Sequence, residues 1–157
     1  MKIKWKLLLP CIAIPLAVGG LSAWLTSGSM KAYEQMQKPA LSPPATLFPI
    51  VWTILFFMMG LASYLVTQGQ TTSEQRAGAL RIYSVQLAVN FSWTIFFFSL
   101  GAYLFALIWL ILLVVLVFCT IVRFWKTSRP AGILLLPYLA WLLFAGYLNA
   151  AVWLINR

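Results

Sequence analysis

The sequence predicts an all-α membrane protein, a bundle of five transmembrane helices, and three observations carry that prediction. The chain is 63% hydrophobic and 8% charged, with a mean hydropathy of +0.94, whereas soluble domains are roughly half apolar and a quarter charged. Five apolar runs, 7–26, 47–67, 82–100, 103–124 and 133–155, reach the ~20 residues needed to cross a hydrocarbon core. The basic residues, 11 Lys and Arg against 2 acids, gather at the ends of those runs. That is the pattern of membrane-flanking loops, not of a nucleic-acid-binding face. The runs are continuously apolar rather than alternating, which rules against a closed β-barrel. With 157 residues, the chain is expected to form one domain.

The first run follows Lys2, Lys4 and Lys6, as a signal peptide would. Its apolar length exceeds a 7–15-residue signal core and no small-residue cleavage site follows, so a retained helix is expected. The connection 27–46 is long and carries Pro39, Pro43 and Pro44. Prolines restrict the backbone, and a loop of ~20 residues suits a shaped, lid-like cover; a plain connector remains the alternative. The second run places Trp52 and Phe56 one turn apart on one face. The third carries Gln86, Asn90 and Trp93 as a polar and aromatic stripe. Only Gly101 and Ala102 separate the third and fourth runs, which predicts a tight antiparallel hairpin. The fifth repeats Trp141, Ala145, Asn149 and Trp153 every four residues, and Gly146 with Ala150 forms a small-residue pair.

Loop charges orient the bundle. Lys2, Lys4, Lys6, Arg76, Arg81, Arg123, Lys126 and Arg129 fall on one side; Lys31, Lys38 and Arg157 fall on the other. By the positive-inside rule the N-terminus is cytoplasmic and the C-terminus outside.

Asn149 inside an apolar run is the most telling single residue, because an amide in hydrocarbon needs a partner or a cavity. Two explanations compete for it and for Gln86 and Asn90. Amides bond across neighbouring transmembrane helices for about 0.6 kcal/mol each, or they line an intramembrane pocket. Trp5, Trp24, Trp125 and Trp153 suit interfacial belts. Trp52, Trp93 and Trp141 sit beside polar or small residues and suit a pocket for a flat apolar ligand. There is no His, and the only acids are Glu34 and Glu74, both in loops. Acid–base catalysis, imidazole haem ligation and carboxylate metal sites are poorly supplied, so no metal and no required cofactor are expected. Cys11 and Cys119 lack CxxC spacing and lie in apolar runs, where a thiol is usually a small hydrophobe.

Three ordered blocks resemble the TspO/MBR family, the tryptophan-rich sensory proteins and translocator (peripheral benzodiazepine receptor) proteins. The first is Tyr33-x-x-Met36-x-Lys38-Pro39-x-x-x-Pro43-Pro44, with Pro49 and Trp52 after it. The second runs from Gln86 through Asn90 and Trp93 to Phe96-Phe97-Phe98, and the third from Pro137-Tyr138 through Trp141, Ala145 and Asn149 to Trp153 and Asn156.

The resemblance implies a membrane receptor or carrier that binds a tetrapyrrole such as protoporphyrin IX beneath the first loop. It implies Trp52, Asn90, Trp141 and Ala145 as pocket residues and Tyr33, Pro43, Phe56 and Phe96 as wall and lid. It also implies a homodimer, and the short termini suggest a bacterial cell-membrane protein. Two further functions stand beside this one. The first is light- and oxygen-dependent porphyrin degradation using Trp52 and Trp141, and the second is a regulatory partner protein without small-molecule turnover. Ala32 and Leu41 stand where the family often has Trp, which makes the lid less aromatic. Ala150, Ala151 and Leu154 replace the Tyr and Arg positions of the mammalian cholesterol segment, so tight cholesterol binding is not expected.

Overall fold

The computed structural model describes residues 3–29 and 34–156. Five helices in it are long and apolar enough to cross a membrane, and the described residues contain no strand. The spans comprise α1 (Trp5–Thr26), α2 (Leu47–Thr67), α3 (Ser73–Thr94), α4 (Tyr103–Thr127) and a broken fifth. That last span is a short α5 (Arg129–Leu134) followed by α6 (Leu136–Ile155). The chain is a multi-pass membrane protein.

Helix order around the bundle follows from the packing. α1 lies along α2, α2 meets α5, α5 and α6 pack on α4, α4 on α3, and α3 closes the ring on α1. The α1–α2 approach is close because Gly60 is bare. A Cβ there would lie 2.6 Å from the Ile12 Cα and 2.7 Å from the Cys11 carbonyl oxygen. A hydrogen bond from the Lys4 backbone N–H to the Tyr64 hydroxyl, 3.0 Å, ties the start of α1 to the far end of α2.

The element boundaries differ from the hydropathy runs in instructive ways. α3 begins at Ser73, nine residues before the apolar run, so Arg76 and Arg81 belong to helix rather than loop. A capping box starts it: the Thr72 hydroxyl accepts from the Gln75 N–H at 3.2 Å, and the Gln75 side chain accepts from the Thr72 N–H at 3.4 Å. The fifth span also starts early, at Arg129, and breaks at Leu135, just before Pro137, whose ring and missing N–H cannot continue a helix unbroken. Gly101, at φ +60°, makes the turn between α3 and α4, a conformation that costs glycine little and other residues more.

The end of α3 contains the least expected feature. Ile95–Ser99 winds as a π-turn, with the Leu100 N–H donating to the Ile95 carbonyl five residues back at 3.0 Å. The wider turn advances the following side chains by about one position relative to an α-helix.

A candidate ligand-binding cavity

Between α1, α2, α3 and α6, on the side of the first loop, lies a cavity of about 470 Å³. Its upper rim carries Ser27, Glu34, Ala45 and Thr46, and the wall descends through Phe48 and Trp52 on α2. Asn90, Trp93, Phe97 and Phe98 come from α3 and its π-turn, and Trp141, Ala145 and Asn149 from α6. Among the described residues the lining is mostly aromatic and apolar, with a few hydroxyls and amides and one charge, Glu34.

The helical periodicities create this convergence. Trp52 and Phe56 stand one turn apart with ring centroids 5.5 Å from each other. Trp141 meets Phe48 edge-on at 5.9 Å, which joins the walls contributed by α6 and α2. Trp93 stacks on Phe97 at 5.4 Å and meets Phe98 edge-on at 6.2 Å. Such pairs add about 0.5–1.5 kcal/mol beyond area burial.

Two hydrogen-bond chains fix the polar groups. In the first, the Tyr138 hydroxyl donates to Gln86 Oε1 at 3.0 Å, and Asn90 Nδ2 donates to the same hydroxyl at 2.6 Å. Tyr138 and Gln86 do not line the cavity; Tyr138 packs edge-on against Trp52 at 6.1 Å, beneath it. In the second, Trp93 Nε1 donates to Asn149 Oδ1 at 3.3 Å, and Asn149 Nδ2 donates to the Tyr103 carbonyl at 2.9 Å. Asn149 is wholly buried, so its amide works as a three-helix tie as well as a patch of cavity wall. Trp141 Nε1 is different: it is buried and has no acceptor among the described residues.

Trp52, Phe56, Asn90, Trp141 and Ala145, all expected from the sequence, line the cavity together. Pro43 is half-buried in the loop and Phe96 is half-buried, and neither is among the lining residues. Phe96 instead packs edge-on against Phe105 and Trp109 on the α4 side, at 4.8 and 5.5 Å. Helical spacing explains the difference: Phe97, one turn after Trp93, continues the Gln86, Asn90 and Trp93 stripe, and Phe96 falls off that face. Tyr33 lies outside the described residues. Sequence reasoning missed Phe48, Phe97, Phe98, Ser22 and Glu34 as lining. Phe48 is one turn before Trp52 and Phe97 one turn after Trp93, and both spacings were usable signals.

No group of three or more His, Cys, Asp or Glu side chains placed to hold a metal occurs among the described residues.

Comparison with known proteins agrees with this architecture. The family model described as "TspO/MBR family" matches residues 11–154. A tryptophan-rich protein TspO from Archaeoglobus fulgidus is 38% identical over 152 residues, covering 96% of this chain and 97% of that protein. Its namesake from Chlorobaculum tepidum is 37% identical over 148 residues, 93% of each chain. The translocator protein of Bos taurus is 35% identical over 146 residues, 92% of this chain and 86% of that one. With the family model spanning nearly the whole chain and relatives 35–38% identical over more than nine-tenths of it, the chain belongs to the TspO/MBR family.

Proposed function

We propose that this protein is a membrane receptor or carrier that holds a tetrapyrrole of the protoporphyrin IX type in the cavity beneath the first loop. The observation that carries the proposal is the lining itself: Trp52, Trp93 and Trp141, from three helices, around about 470 Å³. That volume falls within the roughly 300–1,000 Å³ typical of small-molecule sites. A flat conjugated ring matches aromatic faces, and the few polar groups suit its edge. Asn90 contributes an amide already oriented by Tyr138. The unpartnered Trp141 N–H adds a donor whose burial without an acceptor is unfavourable until a ligand supplies one.

Membership of a family whose proteins carry names such as tryptophan-rich sensory protein and translocator protein supports a binding role over a purely structural one. We also propose that the cavity opens away from the cytoplasm, following the orientation that the loop charges favour, and that the protein pairs as a homodimer.

Titration of protoporphyrin IX into the purified protein in the dark, followed by tryptophan quenching, tests the central claim. Saturable quenching that weakens about 3–10-fold in Trp141→Ala is expected from the loss of one aromatic contact. Non-saturating quenching, equal in both proteins, would mean partition into detergent and defeat the proposal.

A second function, light-driven porphyrin breakdown with oxygen, draws support from Trp52 and Trp141 both standing in the cavity wall. Under illumination in air, the double variant Trp52→Phe, Trp141→Phe would then bind pigment without bleaching it. Equal bleaching by both proteins would discard this second reading.

A further inference from the structure

Trp141 stands in two walls at once. Besides the cavity, it lines a groove between α2 and α6, with Val51, Leu55 and Met58 on one side and Pro137, Ala140 and Phe144 on the other. Among the described residues it is the single one that the two linings share. Pro137 and Ala140 are exposed, so the groove faces outward. The break at Leu135 creates it. Before the break α5 lies against α2; beyond it α6 packs on α4, and α2 and α6 do not pack along each other. Rings close the seam instead: Phe48 meets Trp141 edge-on at 5.9 Å, and Trp52 meets Tyr138 at 6.1 Å. On the groove side Phe144 braces Trp141, with ring centroids 5.5 Å apart. Val51 to Met58 lie about 6–17 Å along α2 from its first residue, Leu47, a depth of hydrocarbon rather than of head groups.

Resting on the tetrapyrrole reading above, we infer that the α2–α6 seam is a side entrance: a hydrophobic ligand dissolved in the bilayer enters the groove and reaches the cavity by displacing the Trp141 ring. The occupant of the groove is thus ligand in transit from lipid, and the continuity of groove and cavity through one side chain assigns it. A flat, apolar ring collects in the bilayer and meets this face without returning to water. Moving one indole breaks a few ring contacts, whereas parting two packed helices would break many. Ala140 and Phe144 line the passage and not the cavity. A residue on the route that leaves the bound ligand untouched changes association and dissociation by the same factor, and Kd stays put.

The test uses the full-length protein in lipid nanodiscs, in the dark, with protoporphyrin IX as probe. Tryptophan quenching after rapid mixing gives the association rate, and transfer to excess empty vesicles gives the dissociation rate. Ala140→Phe fills the groove, Phe144→Ala removes the brace, and Val115→Phe enlarges an exposed residue on α4 as the control. Ala140→Phe should slow both rates about tenfold and Phe144→Ala should speed both about threefold, within the spread of rates among variants of one site. Kd should remain within about twofold of wild type throughout, and Val115→Phe should keep wild-type rates. Wild-type rates in either folded groove variant, or a changed Kd without matched changes in the two rates, overturn the inference and leave the cavity assignment intact. Unchanged rates with loss of a dimer in Ala140→Phe would give the groove to a second copy of the chain, which also overturns it. Failure of the probe to saturate wild type overturns the tetrapyrrole reading itself, and this entrance with it.

Discussion

Trp93 Nε1 donates to Asn149 Oδ1 across 3.3 Å of helix–helix interface, and the same Asn149 reaches on to the Tyr103 carbonyl at 2.9 Å. One amide thereby joins α3, α6 and the first residue of α4, immediately beyond the Gly101 turn. Asn149→Ala should remove both bonds and leave a buried indole N–H without an acceptor, at a cost of about 1–3 kcal/mol. Thermal unfolding in detergent would register this as a lower Tm, and an unchanged Tm would show that the amide is dispensable.

Tyr138→Phe is a finer probe. It deletes a single oxygen that accepts from Asn90 and donates to Gln86, keeping the ring that packs under Trp52. Stability should fall by about 0.5–1.5 kcal/mol. Porphyrin affinity should also drop, because the Asn90 amide loses the partner that orients it. An affinity equal to wild type would mean that Asn90 needs no such orientation.

The α1–α2 contact yields a paired prediction. Gly60→Val must push apart two backbones that already approach within contact of any added carbon, and overpacking of that kind costs about 1–3 kcal/mol. Gly20→Val is the control, since nothing lies within 4 Å of its would-be Cβ. Comparable Tm values for the two variants would contradict the packing described.

The three consecutive phenylalanines provide a test of which ring faces the cavity. Phe97→Leu, in the cavity wall, should alter porphyrin quenching, whereas Phe96→Leu, packed on Phe105 and Trp109, should chiefly affect stability. The reverse outcome would contradict the placement of Phe97 in the wall and of Phe96 against α4.

How much of this was legible beforehand depends on which force wrote each feature. The five spans were plain, because hydrocarbon imposes a minimum length of apolar sequence. The convergence of Trp52, Asn90, Trp141 and Ala145 was also readable, from helical spacing together with family resemblance. Hydropathy, however, measures membrane depth and not helicity. It therefore missed the two polar turns of α3 around Arg76 and Arg81 that a Thr72–Gln75 cap extends beyond the apolar run. The π-turn at Ile95–Ser99 was illegible for another reason: a one-residue shift in backbone hydrogen bonding leaves no mark on composition. Asn149 was correctly singled out, and its two bonds show that the competing explanations, packing tie and cavity wall, are both realised in one residue.

α1 is the least buried of the five spans, yet it supplies Gly19, Ser22, Ala23 and Thr26 to the cavity. One wall of the chamber is thus also its most exposed element, joined to α3 on this face by hydroxyls of Ser22 and Thr94 lying 3.2 Å apart. Such a chamber is mechanically soft. Interiors packed to crystal-like density resist compression, whereas void volume makes a fold yield to pressure. Hydrostatic pressure should therefore destabilise the empty protein more than the filled one, with the occupant acting as an incompressible part of the core.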